Sequence, residues 1–401
     1  MMEIETMKKM VGISDALILK ERAYVSNRLY NSFIIYNTQK NVIEYIDSFV
    51  HMDDLSFAYH GGCIEHDGIL YFYPDNGYGV HSYDTNKGCQ KFYDLGFCRV
   101  GFSYILEDKL ILFPWYSEQG LIVIDLKKDT IQLESDWWNA SQILRDEKIH
   151  FLNSGMYDNN RVWSHCTKTN CLLISDCYKQ VIQKHVIDVG EKKLWGSQYD
   201  GNDFWFSVVG ENIIYQWNIE VGLKKTYRID CKDWGKTYEV SPFRKIVCVA
   251  NGLFIIPYNE NALFLLNKKT EKVELISRFP DETIYPQTKY WNIKERIFEN
   301  QLYLFCDFTN MIVQVDLDRL CVKYINTQLS GDKKWDEYVD QKWKLILEEI
   351  HNKDSIYENG YDWKMYLTNY IQIDYKGYRG TTESFHLDNI GKKIYREAIA
   401  E

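Results

Sequence analysis

Apolar and polar residues alternate along most of the first 330 positions in short runs broken by polar turns, a period of two that predicts strands rather than helices. The runs recur as one unit: a strand ending in Asp or Asn, a short polar turn often containing Lys, and a second strand. The copies are IIYNTQKNVIEYI, VHSYDTNKGCQKFY, IVIDLKKDTIQLE, IYQWNIEVGLKKTY, LFLLNKKTEKVELI and VQVDLDRLCVKYI, and RVWSHCTKTNCLLIS reads as a seventh with Cys in the marker position. The markers are then Asn37, Asp84, Asp125, Cys166, Asn218, Asn267 and Asp316, at intervals of 47, 41, 41, 52, 49 and 49 residues. Such spacing suits four-stranded propeller blades.

A second landmark precedes each marker, a tight polar turn between two apolar strands. These turns are Lys20-Glu21, Glu65-His66-Asp67-Gly68, Glu107-Asp108-Lys109, Asp146-Glu147-Lys148, Asp200-Gly201-Asn202-Asp203, Asn251-Gly252 and Glu299-Asn300. Residues that tolerate positive φ between apolar runs are a hairpin signature. One four-stranded sheet cannot bury both of its faces, whereas radially packed copies bury each against the next. The sequence therefore predicts an all-β, seven-bladed β-propeller over residues 12–328, with six blades as the alternative and strands shared at ring closure a further option.

After residue 330 the period changes. Trp335, Tyr338, Val339, Trp343, Ile346 and Ile350 fall at helical spacing within KKWDEYVDQKWKLILEEIHN, which predicts an amphipathic helix over 333–352. A second short helix is expected in GKKIYREAIA, and residues 329–401 read as a mostly helical extension packing on the propeller.

Composition narrows the functional classes. Aromatic residues make up 15% of the 401, which favours pleated surfaces. A formal net charge of −10 without a block of Lys and Arg argues against nucleic acid as a partner. The most apolar stretch, 246–266, is broken by Asn251, Gly252, Pro257, Asn259, Glu260 and Asn261, so no membrane span is expected. The N-terminus lacks the apolar stretch of a secretory signal and the cysteines are scattered singly, which together imply a reducing, cytoplasmic setting. Asn139-Ala140-Ser141 matches a glycosylation sequon that this setting leaves unused.

The strand, turn and marker pattern resembles bacterial Kelch-like and PQQ-like propellers, and YDGNDFWFSVVGENIIYQWN looks like the repeats of bacterial sensor propellers. The strand-Pro loops together with GKKIYREAI also resemble propellers that occur with bacterial cell-surface polysaccharide biosynthesis genes. The resemblance spans residues 12–328 and implies architecture rather than activity. The units carry no regular Gly-His or Trp-Asp pair of WD repeats, no repeated double-glycine signature of Kelch repeats and no Asp-box of sialidases.

Candidate chemistry lies in the loops. Pro74, Pro114 and Pro257 each follow the second strand of a unit and end its pairing. They throw Tyr78, Trp115, Tyr116, Glu118, Tyr258 and Asn259 towards one rim, which Trp137, Trp138, Trp234 and Trp291 in the connections between units would extend. Flat aromatic faces beside polar side chains suit sugar rings; the competing expectation is that these aromatics pack between blades as core. Asp75, Glu118 and Glu260 could form the carboxylate pair of a glycosidase, although exposed turn carboxylates more often serve solubility. His165 and Cys166, with Cys171 and Cys177, invite a zinc site, but neighbours on a strand point to opposite faces. His60, His66, His81 and His150 stand singly with no partner apparent. Phosphate-loop, dinucleotide, zincin, nucleophile-elbow and EF-hand motifs are missing, so neither a cofactor nor a metal is expected.

These readings favour a non-enzymatic recognition module that binds a carbohydrate-like or protein ligand at the channel face. The alternatives are a glycan-active hydrolase or lyase working in the channel and a protein–protein interaction scaffold.

Overall fold

The Asp or Asn of the repeat ends the third strand of its blade, where its side chain caps the turn into the fourth. Oδ1 of Asn37 accepts hydrogen bonds from the backbone N–H groups of Gln39 and Lys40. Asp84, Asp125, Asn267 and Asp316 bind the second and third residues beyond them in the same way. Asn218 holds Glu220. Asx side chains satisfy turn N–H groups that the ladder leaves open, which is why this residue type recurs.

Blade 4 departs from the expected register. Its capping residue is Asp176, which accepts from Tyr178 and Lys179. Cys166 instead ends the second strand, Arg161–Cys166, and faces Cys171 at the start of the third, Cys171–Asp176. Apolar strands around a polar turn look alike whichever pair they form; only a carboxylate or amide can make the cap, and Cys cannot. The expected turn at Asp146–Lys148 lies outside the described residues, and the first hairpin of this blade turns at Asp158–Asn160.

The computed structural model describes residues 12–351 apart from 28–29, 52–58, 76, 116–119, 135–137, 139–140, 142–150, 167–168, 231–241, 251, 259–261, 280–292, 307–310 and 328–331. Within it the chain forms seven four-stranded antiparallel meanders. The first strands of the blades are Ile13–Leu19, His60–His66, Val100–Leu106, Phe151–Met156, Leu194–Tyr199, Phe243–Val249 and Ile293–Phe298. They neighbour one another around the ring and so line its centre. Lys20, Asp67, Glu107 and Glu299 in the first hairpins take φ of 57°, 52°, 53° and 53°, the left-handed geometry such tight turns require.

Between blades the aromatic content becomes core. Tyr24, Phe33, Phe49, Leu70 and Phe72 fill the seam of blades 1 and 2, and Phe102, Phe113, Trp138 and Val162 that of blades 3 and 4. Each blade is one uninterrupted stretch of chain, and among the described residues no strand is shared at closure.

The seam of blades 7 and 1 is covered by a helix, α1 (Lys333–His351). Its Trp335, Tyr338, Val339 and Trp343 join Ile34, Tyr36 and Ile43 of blade 1 and Phe305 and Ile312 of blade 7 in one buried cluster. Asp332 caps the helix through the N–H of Lys334 at 2.9 Å and accepts from Ile43 N, while Lys334 Nζ donates to the carbonyls of Ile43 and Glu44. These bonds occupy the open edge of Val42–Ser48, the outermost strand of blade 1. The expected GKKIYREAIA helix lies outside the described residues. No helix among the described residues is long and apolar enough to cross a membrane.

Candidate functional site

A meander fixes which loops share an end of the ring. The second-to-third loops and the connections between blades fall at the end where the inner strands begin, and the other two turns of each blade at the opposite end. Trp115 and Tyr258, each just beyond a second strand, and Tyr78, the second residue of the third strand Gly77–Asp84, therefore belong to the same end. Tyr78 is exposed and meets the exposed Phe97 edge-on at 5.6 Å. Trp115 is half-buried beneath the Arg99 guanidinium, 5.6 Å from its ring centre. Tyr258, also half-buried, lies 6.2 Å from the ring of Trp195, the second residue of an inner strand. The structure thus pairs Trp115 with Arg99 within blade 3, Tyr78 with Phe97 within blade 2 and Tyr258 of blade 6 with Trp195 of blade 5, as separate contacts on one rim. Tyr116, Glu118, Asn259, Trp234, Trp291, Trp137 and Glu260 lie outside the described residues. Trp138 does not extend the rim: it is fully buried in the seam of blades 3 and 4, because its indole fills the space beside Phe113.

Asp75 pairs with Arg99, whose Nε also donates to the Asp75 carbonyl at 3.0 Å. Arg99 immediately precedes the third inner strand, so this pair ties blade 2 to blade 3 beside the channel. No signal in the sequence singled it out, since the two residues belong to different units.

Deeper in the channel the inner strands carry buried charge. Asp15 of blade 1 accepts from its own neighbour Ala16 N at 2.8 Å, from Cys63 N of blade 2 at 2.8 Å, and from the Arg296 guanidinium of blade 7. One carboxylate thereby joins three blades. Glu295 on the opposite side of the same strand pairs with Lys245 of blade 6. Burial alone would push Glu295 up, but Lys245 and Arg296 outweigh it and hold the carboxyl below its usual range. Both acids pair with cations of another blade, an arrangement suited to fixing blades against one another.

Two glycines open room for large side chains to reach this region. A Cβ on Gly62 would stand 1.9 Å from Tyr73 Oη, and one on Gly155 2.5 Å from Trp163 Nε1. The second-strand rings of Tyr73 and Trp163 thus lie over inner-strand glycines. Tyr104 donates to Ser154 Oγ across the next seam at 3.2 Å. Burial raises the Tyr73 and Tyr104 hydroxyls well above the ordinary phenol value, which keeps both protonated.

The histidines depart from expectation. His60 and His81 are bonded to each other, Nε2 to Nδ1 at 2.9 Å, and His60 Nδ1 lies 2.8 Å from Ser26 Oγ of blade 1. Antiparallel register brings these three together across two sheets, which spacing along the chain does not reveal. His66 stands 3.7 Å from carboxylates of Asp67 and Asp108. His150 lies outside the described residues. His165 packs against Phe206 of blade 5, whereas Cys166 and Cys171 join the seam of blades 3 and 4. Opposite faces of one strand thus separate the histidine from the thiols. Among the described residues no group of three His, Cys, Asp or Glu is placed to hold a metal ion.

No protein-family model matches the chain, and no curated protein matches it in sequence. Among solved structures it is similar to virginiamycin B lyase from Staphylococcus aureus, at 11% identity and a TM-score of 0.56, over 75% of this chain and 93% of that one. It is also similar to the WD40 repeats of RRP9, at 7% identity and a TM-score of 0.52, over 74% and 88%. PorZ, a surface component of the type-IX secretion system of Porphyromonas gingivalis, is 12% identical with a TM-score of 0.51, over 79% of this chain but 38% of that protein. At these identities the likeness is one of fold, a seven-bladed propeller.

Proposed function

We propose that the chain is a non-catalytic recognition module that takes a carbohydrate-like or protein ligand at the end of the ring where the inner strands begin. The observation that carries this reading is the gathering of Tyr78, Trp115 and Tyr258 at that end, with Tyr78 exposed and Arg99 lying over Trp115. Rigid aromatic faces beside a few polar groups suit rings with apolar faces and hydroxylated edges. The resemblance of the loop pattern to propellers found with polysaccharide genes leans the same way. Asp15 and Glu295, two acids of the inner strands, are both ion-paired, which weighs against either serving a hydrolase as its carboxylic acid or free carboxylate.

The test is a glycan array and a thermal-shift screen on the full chain beside a Trp115→Ala, Tyr258→Ala variant. Ligand-dependent stabilisation of the parent that the variant loses supports the reading. Silence from a well-folded parent rejects the saccharide form and leaves the protein-binding form to be tested by partner capture.

A further inference from the structure

The last rung of the ladder between the second and third strands of blade 4 sets Cys166 against Cys171. Partners across an antiparallel rung point to the same side of the sheet, and both side chains are fully buried in the seam of blades 3 and 4. Both stand as thiols. Elsewhere in the described ladders Cys63, Cys89, Cys98, Cys248 and Cys306 each face a residue other than Cys. Opposed Cα atoms in such a ladder lie about 4.5–5.5 Å apart, inside the roughly 4.4–6.8 Å that a disulfide spans. Their Cβ atoms, at about 4.5–5.5 Å, must close to the roughly 3.5–4.5 Å of a bridge. A bond made there contracts the rung and is held under strain, which makes it easily reduced again.

We propose that Cys166 and Cys171 form a redox modification site, a dithiol that a low-molecular-weight disulfide of the glutathione class oxidises reversibly. One thiolate attacks a sulfur of the oxidant, expels half of it as a thiolate and leaves a mixed disulfide; the second cysteine then displaces the other half. The Cys166–Cys171 bond forms as the oxidant's S–S bond breaks, two electrons pass to the oxidant, and its two thiols take up the two protons that the cysteines release. Burial makes the exchange wait on opening of the rung, which is the end of its ladder, where local opening costs least. The bond reaches beyond blade 4 through Asn170, the neighbour of Cys171, which takes a left-handed φ of 47°. Asn170 fastens the connection between blades 4 and 5: its carbonyl accepts from Ile187 N at 2.9 Å, its Oδ1 from Leu194 N at 3.0 Å, and its Nδ2 donates to the Lys192 carbonyl. Leu194 leads into Trp195, the partner of Tyr258 on the rim. Fixing Cys171 fixes Asn170, so the bridge stiffens the base of that aromatic pair.

The experiment equilibrates the folded full chain in glutathione buffers of rising disulfide content, quenches with acid, blocks the remaining thiols and maps tryptic peptides by mass. Trypsin cuts after Arg161, Lys168 and Lys179, so the bridge joins VWSHCTK to TNCLLISDCYK. The expected result is a joined peptide that grows with the disulfide content and is lost on adding dithiothreitol. Cys177→Ser keeps the joined peptide and Cys171→Ala abolishes it, with melting curves verifying that both variants are folded. Hydrogen exchange of the Ile187 and Leu194 amides slows severalfold in the bridged form. No joined peptide at any ratio that leaves the protein folded overturns the proposal, as does one that appears only after unfolding in urea. A joined peptide that survives in Cys171→Ala and is lost in Cys177→Ser overturns the pairing. A bridge that leaves the two amides unchanged overturns the reach to the rim while the modification site stands.

Discussion

Nε2 of His60 points at Nδ1 of His81 from 2.9 Å, and both rings are buried between blades 1 and 2. The Val50 carbonyl, 2.6 Å from His81 Nε2, can only accept, so His81 carries its proton there. His60 must then donate to His81, and Ser26 to His60. Each bond in the chain is satisfied while both rings are neutral; a second proton on His81 sets two N–H donors face to face, and one on His60 requires the Ser26 hydroxyl to turn and accept.

A pH dependence follows. Burial, with His81 nearby, holds His60 well below its ordinary value; burial, with His51 nearby, holds His81 down to about 4; burial alone holds His165 to about 3. The unfolded chain takes up these protons near pH 6.5 and the folded one does not, so stability is full above that pH and falls between about 6.5 and 4. Each histidine contributes up to about 1.4 kcal/mol per pH unit in that window. Denaturant titrations from pH 7.5 to 4.5 should show the loss, and a His60→Phe, His81→Leu variant should show a shallower slope whatever its stability at pH 7.5. An unchanged slope contradicts the assignment.

His165 is fully buried, and neither of its ring nitrogens has a hydrogen-bond partner. An unsatisfied buried polar group costs about 1–3 kcal/mol, so His165→Leu should raise the unfolding free energy at pH 7 by about 1 kcal/mol or more. A fall in stability would mean that the ring is satisfied in solution.

Asp15→Ala should be among the most disruptive single changes. It leaves the Arg296 guanidinium and Cys63 N–H without the carboxylate that serves both, a loss of about 3–5 kcal/mol for a broken buried pair. Replacing both partners, Asp15→Leu with Arg296→Met, should recover much of it. Chemical denaturation of the parent, Asp15→Leu, Arg296→Met and the double variant measures the coupling.

Asp176→Ala should cost about 1 kcal/mol through two lost turn bonds. Cys166→Ser, at the position the repeat pattern first suggested as marker, removes no cap and acts only through the seam of blades 3 and 4. A double-mutant cycle between Asp176→Ala and Tyr178→Pro, which deletes one of the N–H donors, should show coupling, whereas the same cycle with Cys166→Ser should not.

Trp335 is fully buried and meets Tyr30 edge-on at 5.8 Å. Trp335→Ala should destabilise by about 3–5 kcal/mol, while Leu345→Ala on the exposed side of the same helix should be nearly silent. Hydrogen exchange should locate the loss in blades 1 and 7.

Much of the architecture was legible because it rests on local rules that recur. Asn37, Asp84, Asp125, Asn267 and Asp316 mark blades since each caps its own turn, and Trp335, Tyr338, Val339 and Trp343 mark the buried face of a helix through their spacing. The blade 4 marker was misplaced because RVWSHCTKTNCLLIS keeps the apolar and polar rhythm of a third-to-fourth hairpin while Asp176 does the capping. The channel was not legible. Asp15 and Arg296 lie 281 positions apart, and nothing local to ISDALIL or IKERIF announces that the ring makes them neighbours. The aromatic loops fall between these cases: proline places their starts at one end, but whether an indole there faces solvent or core is set by adjacent blades, as the buried Trp138 and the half-buried Trp115 illustrate.

A ring whose every blade is an uninterrupted stretch of chain has six seams bridged by peptide and one that is not. Cutting the loop between any two blades would leave all seven sheets whole, and blade order could be rotated without unpairing a strand. Among the described residues α1 is the element outside the blades that marks which blade is first and which is last, because its tryptophans read both sides of the unbridged seam at once. It serves as a seventh linkage made of side chains, and any rotated version of this protein would have to move that helix to the newly opened seam.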